Sequence, residues 1–232
     1  MVEHEFPVVL GRDYAGVVEQ AGSAVTGYAV GDEVFGFLPH ASPGVHDGTW
    51  AELILVSQDR SVARRPASSD VAAAGASGGL GSFAVQLAAA AGATVLAPGL
   101  PEDTDYLRGL GTAEVLDRNG DVAAQVRERY PDGVDALADF ASGSPDQLNA
   151  YAAVVRDGGR IASRAGAAGE GPGRTNVGAA PTTENLDRLA GLLEDGTLSV
   201  PIQASYPLAQ VDQALKDLAG QHTQGKLAVT LP

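Results

Sequence analysis

The chain has 232 residues, 44% apolar but only 5% aromatic, enough for one large domain or two small ones around a core built mostly of Ala, Val and Leu. With 29 acidic against 15 basic residues the formal charge is −14, a surface that repels phosphate backbones and anionic headgroups, so no nucleic acid and no membrane is expected as a partner. Cysteine is absent, which excludes disulfides, iron–sulfur clusters, thiol nucleophiles and thiolate zinc sites.

In chain order, residues 5–65 read as a small β domain, with strands expected at Phe6 to Leu10, Tyr14 to Ala21, Glu33 to Phe37, Ala51 to Val56 and Ser61 to Arg65. Pro39, Pro43, Gly44, Asp47 and Gly48 mark 38–49 as a loop, and no helical period appears before residue 79. From Val71 onward strands and helices alternate. Strands are expected at 71–74, 94–97, 114–116, 134–139, 160–164, 202–205 and 226–231. Between them lie a helix from 79 to 91, a short one over 103–110 and one behind Asp121 as N-cap. Others carry Leu148 to Val155 closed by Gly158, Leu186 to Leu193, and Val211 to Leu218. Such alternation argues for an α/β fold with a parallel sheet covered on both faces. The most apolar segment, 83–97, is interrupted by Gln86, Gly92 and Thr94, and so reads as a buried helix and strand rather than a membrane span. The opening MVEHEFPVVLG has neither a basic n-region nor a long apolar run, so no secretory signal is expected and a cytoplasmic location is.

One stretch carries chemistry on its own account. In VAAAGASGGLGSFAVQLAAAA (71–91) a short apolar run meets Gly75, Gly78, Gly79 and Gly81, and then a helical face of Leu80, Phe83, Ala84, Leu87 and Ala88. Strand, glycine turn and helix in that order form the phosphate-cradling end of a dinucleotide-binding unit, since glycine lets the backbone approach the pyrophosphate and the helix offers unpaired N–H groups. The spacing is not the strict G-x-G-x-x-G, and a bare structural turn fits it equally well.

Seven blocks, in order, carry a resemblance: PVVLGRDYAGVVEQAGSAVTGYAVGDEVFGF (7–37), GTWAELILV (48–56), GASGGLGSFAVQLAAAAGATVLA (75–97), YLRGLGTAEVLD (106–117), GVDALADFASG (133–143), RDGGRIASRAG (156–166) and GQHTQGKLAVTL (220–231). The sequence resembles the zinc-independent quinone oxidoreductase branch of the medium-chain dehydrogenase/reductases. That resemblance implies a truncated GroES-like β domain over 1–69 and a Rossmann-type doubly wound parallel sheet over 70–232. It implies NADP(H) or NAD(H) as cofactor and a quinone or an enone as substrate; a polyketide-like small molecule belongs to the alternative given below. It also implies a homodimer, for which the stretch Val200 to Pro207 is a candidate edge. No metal is expected: cysteine ligands are absent, and Arg12 stands where a zinc-binding histidine would fall. The chain departs from the family by beginning almost at the first block and by having only Ala67 to Asp70 between the β domain and the first Rossmann strand. Both missing pieces wall the active-site cleft in relatives, so loss of the cofactor, with the cleft reused by a redox-silent tailoring enzyme, stands as the alternative. A cyclase adding an internal hydroxyl to an enone by acid–base chemistry is an example.

Candidate site residues follow. Ser77, Gly78, Gly79 and Leu80 would meet the pyrophosphate. By resemblance, Ala141, Ser142, Ala165 and Gly166 would line the nicotinamide side, with Asn176, Val177 and Lys226 also at the cofactor. Arg12, Asp13 and Tyr14, from the GRDYAG block, are the catalytic candidates; His40 and His46 are further loop acid–base groups. Hydride transfer asks for positioning and a water-poor cleft rather than a dedicated triad. After the second strand the run Pro98 to Asp103 brings two carboxylates, Glu102 and Asp103, to the place where a 2′-phosphate would sit, with Arg108 and Arg118 as the nearby cations.

Overall fold

A computed structural model describes residues 9–38, 48–58, 62–64, 79–164, 166–180 and 182–231. Two compact units emerge, Met1–Gly79 with Ala180–Pro232 and Leu80–Ala179. The expected domain border at 69/70, the strand at 71–74 and most of the strand at 6–10 lie outside the described residues.

In chain order, β1 (Asp13–Val17), β2 (Glu33–Phe37) and β3 (Val62–Arg64) form an antiparallel sheet in the order β1-β2-β3, with Asp13 opposite Phe37 and Val17 opposite Glu33. Next come α1 (Gly79–Ala90), β4 (Leu96–Gly99), α2 (Thr104–Gly109), β5 (Glu114–Asp117), α3 (Val122–Arg129) and β6 (Val134–Asp139). The chain closes with α4 (Pro145–Ala152), β7 (Val155–Ser163), β8 (Arg174–Asn176), α5 (Thr183–Glu194), β9 (Ile202–Pro207), α6 (Val211–Gly220) and β10 (Lys226–Thr230). Every strand pair beyond α1 is parallel: β4 with β5, β6-β7-β8, and β9 with β10. Alternating strands and helices lead to this, because a parallel neighbour must be reached by a crossover. The α/β class, with parallel sheets and a GroES-like N-terminal part, is the one the sequence led us to expect.

In the first unit β2 is covered on both faces, as its period-two apolar pattern requires. Val34 packs with Tyr14 on one side, joined by Val18, Tyr28, Leu38, Ile54 and Val56. Phe35 meets Leu186 and Ala190, one turn apart on α5, on the other. Thr182 caps α5 by accepting from Asn185 N at 3.2 Å. In the second unit Val122 and Val126 of α3 pack on Leu116 of β5 and on Val154. Leu148 of α4 packs with Ile161 of β7, Ala167 and Ala168. Leu116 and Leu148 are essentially sealed from water, each worth about 1.5–3 kcal/mol of burial. Asp121 caps α3 as its position predicts, its Oδ1 accepting from Ala124 N at 2.9 Å.

Three local expectations change. Residues 51–56 form no strand; Leu53 and Leu55 point into water although Ile54 and Val56 pack under Tyr14, so the alternation is present without a ladder. Gly158 does not close a helix. α4 ends at Ala152, β7 starts at Val155 opposite Val134, and Gly158 with φ +74° sits in a bulge where Ala136 next pairs with Arg160. β-Branched Val154 and Val155 are better satisfied in a buried strand than in a last helical turn. Finally, β8 forms between the strand expected at 160–164 and the helix expected over Leu186 to Leu193, where no strand was expected.

Candidate functional site

In the first unit Arg12, Asp13 and Tyr14 fall where the chain enters β1, and they part company there. Tyr14 turns into the core beside Val34, and burial pushes its phenol well up, so it stays protonated. Arg12 Nη1 donates to Leu38 O at 3.1 Å, while Leu38 N donates back to Arg12 O at 2.7 Å, which clamps the end of β2 to the start of β1. Asp13 is half-buried. Burial raises its carboxyl above the usual range, against the pull of Lys226 and then Arg12, which favour the charged form. Arg12, Asp13 and Lys226 therefore share one electrostatic neighbourhood.

Lys226, the first residue of β10, extends over Gly79. A Cβ added at Gly79 would stand 2.6 Å from Lys226 Cγ and 2.8 Å from its Nζ. Glycine leaves the room in which that side chain lies across the backbone. The result is an ammonium beside the backbone of the residue that opens α1, a helix of 12 residues with no acidic side chain in its first turn. A cation with backbone N–H groups is the donor set that binds phosphate oxygens, so these residues fit a dinucleotide diphosphate. Leu80 is half-buried behind Gly79, whereas Ser77 and Gly78 lie outside the described residues, as do Ala165, His40 and His46.

In the second unit the other candidates converge on the C-terminal ends of β6, β7 and β8, the side of a parallel sheet where ligands bind. At their centre is a residue that the motifs did not single out. Asp139, 7% exposed, accepts from Ala141 N at 3.3 Å and Ser142 N at 3.0 Å through Oδ1, and from Ser163 Oγ at 2.8 Å through Oδ2. Ser163 Oγ in turn accepts from Ala167 N at 3.3 Å, and Asn176 Oδ1 accepts from Ala168 N at 3.0 Å. Val177 N donates to Ser163 O at 2.8 Å. Arg174 completes the web, donating to Ala168 O at 2.9 Å and Asn149 Oδ1 at 3.1 Å. Burial pushes the Asp139 carboxyl up, but the donors at Ser142, Ser163 and Ala141 outweigh it and hold it below the usual carboxylate value. The sequence signal was the run Asp139-Phe140-Ala141-Ser142, an aspartate turning on its own following N–H groups.

In the turn after β4 the two acids take different environments. Asp103 is buried and its Oδ2 accepts from Leu100 N at 2.9 Å, which leaves Glu102 as the exposed carboxylate there. Arg108 lies in the last turn of α2, on the surface.

Parallel strand pairs alternating with helices, behind an antiparallel β part, define the class of fold, and comparison with known proteins supplies the family. The family model described as zinc-binding dehydrogenase matches residues 110–229, and the alcohol dehydrogenase GroES-like domain matches residues 1–67. The chain is 26% identical over 280 aligned residues to a chloroplastic quinone-oxidoreductase homolog of Spinacia oleracea, covering 99% of this chain and 82% of that one. It is 27% identical over 289 to a mitochondrial NAD(P)H oxidoreductase of Bos taurus, covering 98% and 71%. Among solved structures, an alcohol dehydrogenase superfamily protein from Novosphingobium aromaticivorans superposes with a TM-score of 0.81 at 25% identity, over 98% of this chain and 83% of that one. The chain belongs to the medium-chain dehydrogenase/reductase family, in its quinone oxidoreductase-like, zinc-independent branch, and is an enzyme of that oxidoreductase family. Both relatives' alignments run longer than the chain itself, so these relatives carry internal residues that it lacks.

The chain has no cysteine, which excludes thiolate zinc ligands, and no group of three His, Asp or Glu gathers among the described residues. No helix among the described residues is long and apolar enough to cross a membrane.

Proposed function

We propose that the chain is a zinc-independent NAD(P)H-dependent reductase of quinones or enones. The observation that carries this reading is Lys226 laid over Gly79, a phosphate-type donor set built from two residues far apart in sequence. When bound, the nicotinamide supplies a hydride, two electrons and one proton's worth of hydrogen, to the substrate carbon, and a proton from solvent completes the reduced product. The chain's own part is to bind and orient. Within the first unit, Gly79 and Lys226 are the candidates for the diphosphate, and Arg12 offers a positive charge for a substrate oxygen as its electron density rises; within the second, the strand ends around Ala141, Ser142, Gly166, Asn176 and Val177 are the candidates for the ring. A small-molecule substrate, a homodimer and a cytoplasmic setting belong to the same reading.

Titration of the protein with NADH and with NADPH, followed by nicotinamide fluorescence and by consumption of the reduced nucleotide with benzoquinone or a simple enone, tests the reading. Lys226→Met is expected to weaken nucleotide binding by roughly tenfold, the weight of one charge-assisted phosphate contact. Absence of binding by either nucleotide at saturating concentration overturns it.

Asp13 supports the second reading, acid–base addition without hydride transfer. Its raised carboxyl, next to Arg12 and Lys226, can hand over and recover a proton closer to neutrality than an ordinary aspartate. Turnover of a hydroxy-enone that is independent of added nucleotide and lost in Asp13→Asn is the result that would favour it.

A further inference from the structure

Asp139 is a buried carboxylate whose partners all lie at or just beyond the ends of strands. Its Oδ1 takes the N–H groups of Ala141 and Ser142 where the chain leaves β6. Its Oδ2 takes the hydroxyl of Ser163 at the end of β7, and that same hydroxyl oxygen takes the N–H of Ala167. A single anion thereby fixes two successive strand-end loops, and Asn176 at the end of β8 fixes the second of them again through Ala168 N. A trans peptide sets its N–H and C=O in opposite directions. Drawing the Ala141 and Ser142 N–H groups onto Asp139 therefore turns the Phe140 and Ala141 carbonyls away from it. Drawing the Ala167 N–H onto Ser163 does the same to the Gly166 carbonyl. Outward carbonyls at the C-terminal end of a parallel sheet are acceptors for a donor such as a carboxamide NH₂ group.

We propose that Asp139 is a positioning residue for hydride transfer: through its own oxygens and through Ser163 it sets the orientation of the strand-end loops after β6 and β7, and with them the face against which the nicotinamide ring is held. The proposal rests on the reading of the chain as a nicotinamide-dependent reductase. A neutral amide cannot replace the carboxylate. In Asp139→Asn one of the two positions becomes an NH₂ group, facing either two backbone donors or the Ser163 hydroxyl. In the second case Ser163, already accepting from Ala167, is left without an acceptor for its own proton.

The test compares wild-type protein with Asp139→Asn, Ser163→Ala and Ser163→Thr, each measured for ADP-ribose affinity, NAD(P)H affinity, kcat and melting temperature. ADP-ribose lacks the ring, so its affinity reports the diphosphate site alone. The expected result is ADP-ribose affinity near wild type in all variants, kcat lower by roughly 100-fold in Asp139→Asn and Ser163→Ala, and most of the rate restored in Ser163→Thr, since misplacing a reactant by about 1 Å has that effect. If kcat is unchanged, or if ADP-ribose affinity, NAD(P)H affinity and melting temperature fall together, Asp139 is a structural staple and the proposal is overturned. Should Asp139→Asn not fold, the Ser163 pair decides by the same criteria. Wild-type protein that binds neither nucleotide removes the functional reading itself, a result separate from any variant's.

Discussion

Asp13, at the start of β1 in the first unit, and Asp139, at the end of β6 in the second, are both carboxylates that folding withdraws from water, and they answer in opposite ways. Asp13 has two cations near it, yet burial dominates and its carboxyl is raised. Asp139 exposes little surface as well, yet two backbone N–H groups and the Ser163 hydroxyl outweigh burial and its carboxyl is lowered. The difference shows that short, directed donors stabilise a buried anion where charges at a distance do not, because a hydrogen bond replaces the water that was lost and a remote cation only biases the field. It also separates two kinds of site. The Asp139 end is tied by directed hydrogen bonds, as the ring-holding role proposed above requires; the Asp13 end has a carboxyl raised by burial, as the proposed acid–base role requires.

Three measurements would break or sharpen that contrast. Asp139→Ala strands two backbone N–H groups and a buried hydroxyl, and should lower the unfolding free energy by about 3 kcal/mol in urea titration near neutral pH. A folded carboxyl below its unfolded value contributes stability that is present above the unfolded value and lost as pH falls through the folded one. The deficit of this variant should therefore shrink in acid, and a deficit independent of pH would contradict the assignment. Asp13→Asn should behave the other way. A folded carboxyl above its unfolded value contributes stability at low pH that disappears as pH rises through the folded value. The asparagine variant should thus match wild type in acid and gain on it in melting temperature as pH climbs toward neutrality. Smallest of all, Asp135→Ala on the same β6 removes an exposed pair with Arg156 at 2.6 Å, and stability should move by less than about 0.5 kcal/mol. A larger loss there would mean that charge pairing, not hydrogen bonding, governs this strand.

What could be read from the sequence was what adjacent residues decide among themselves. Glu33 to Phe37 was predicted and found residue for residue, because its apolar faces alternate. Asp121 was expected as a cap because an aspartate before Val122 and Val126 can reach the N–H groups of the first turn. The alternation after residue 79 implied parallel pairing, and the order of motifs implied the family. Ala51 to Val56 carries the apolar run Leu53, Ile54, Leu55 and Val56 that suits a strand but has no ladder partner among the described residues, and partner strands are not a local property. Gly158 looked like a helix stop and is a bulge, because Val154 and Val155 are taken by the core and by β6.

The candidate site divides along the same line. Gly79 was recognisable as the close-approach position of a phosphate turn, but that Lys226 lies across it depends on β10 returning beside the start of β1, some two hundred positions later in the chain. Ala141, Ser142, Gly166, Asn176 and Val177 were named from their places after strands. Asp139 and Ser163, which join those places, carry no motif of their own beyond a local turn. They lie 24 residues apart and meet only because β6 and β7 pair in register as Asp139 opposite Ser163. Composition and periodicity determine which segments become strands, helices and turns, since those preferences act over a few residues. Which carboxylate keeps its proton and which is held as an anion was decided by tertiary structure alone, because burial and donors both come from residues distant in the chain.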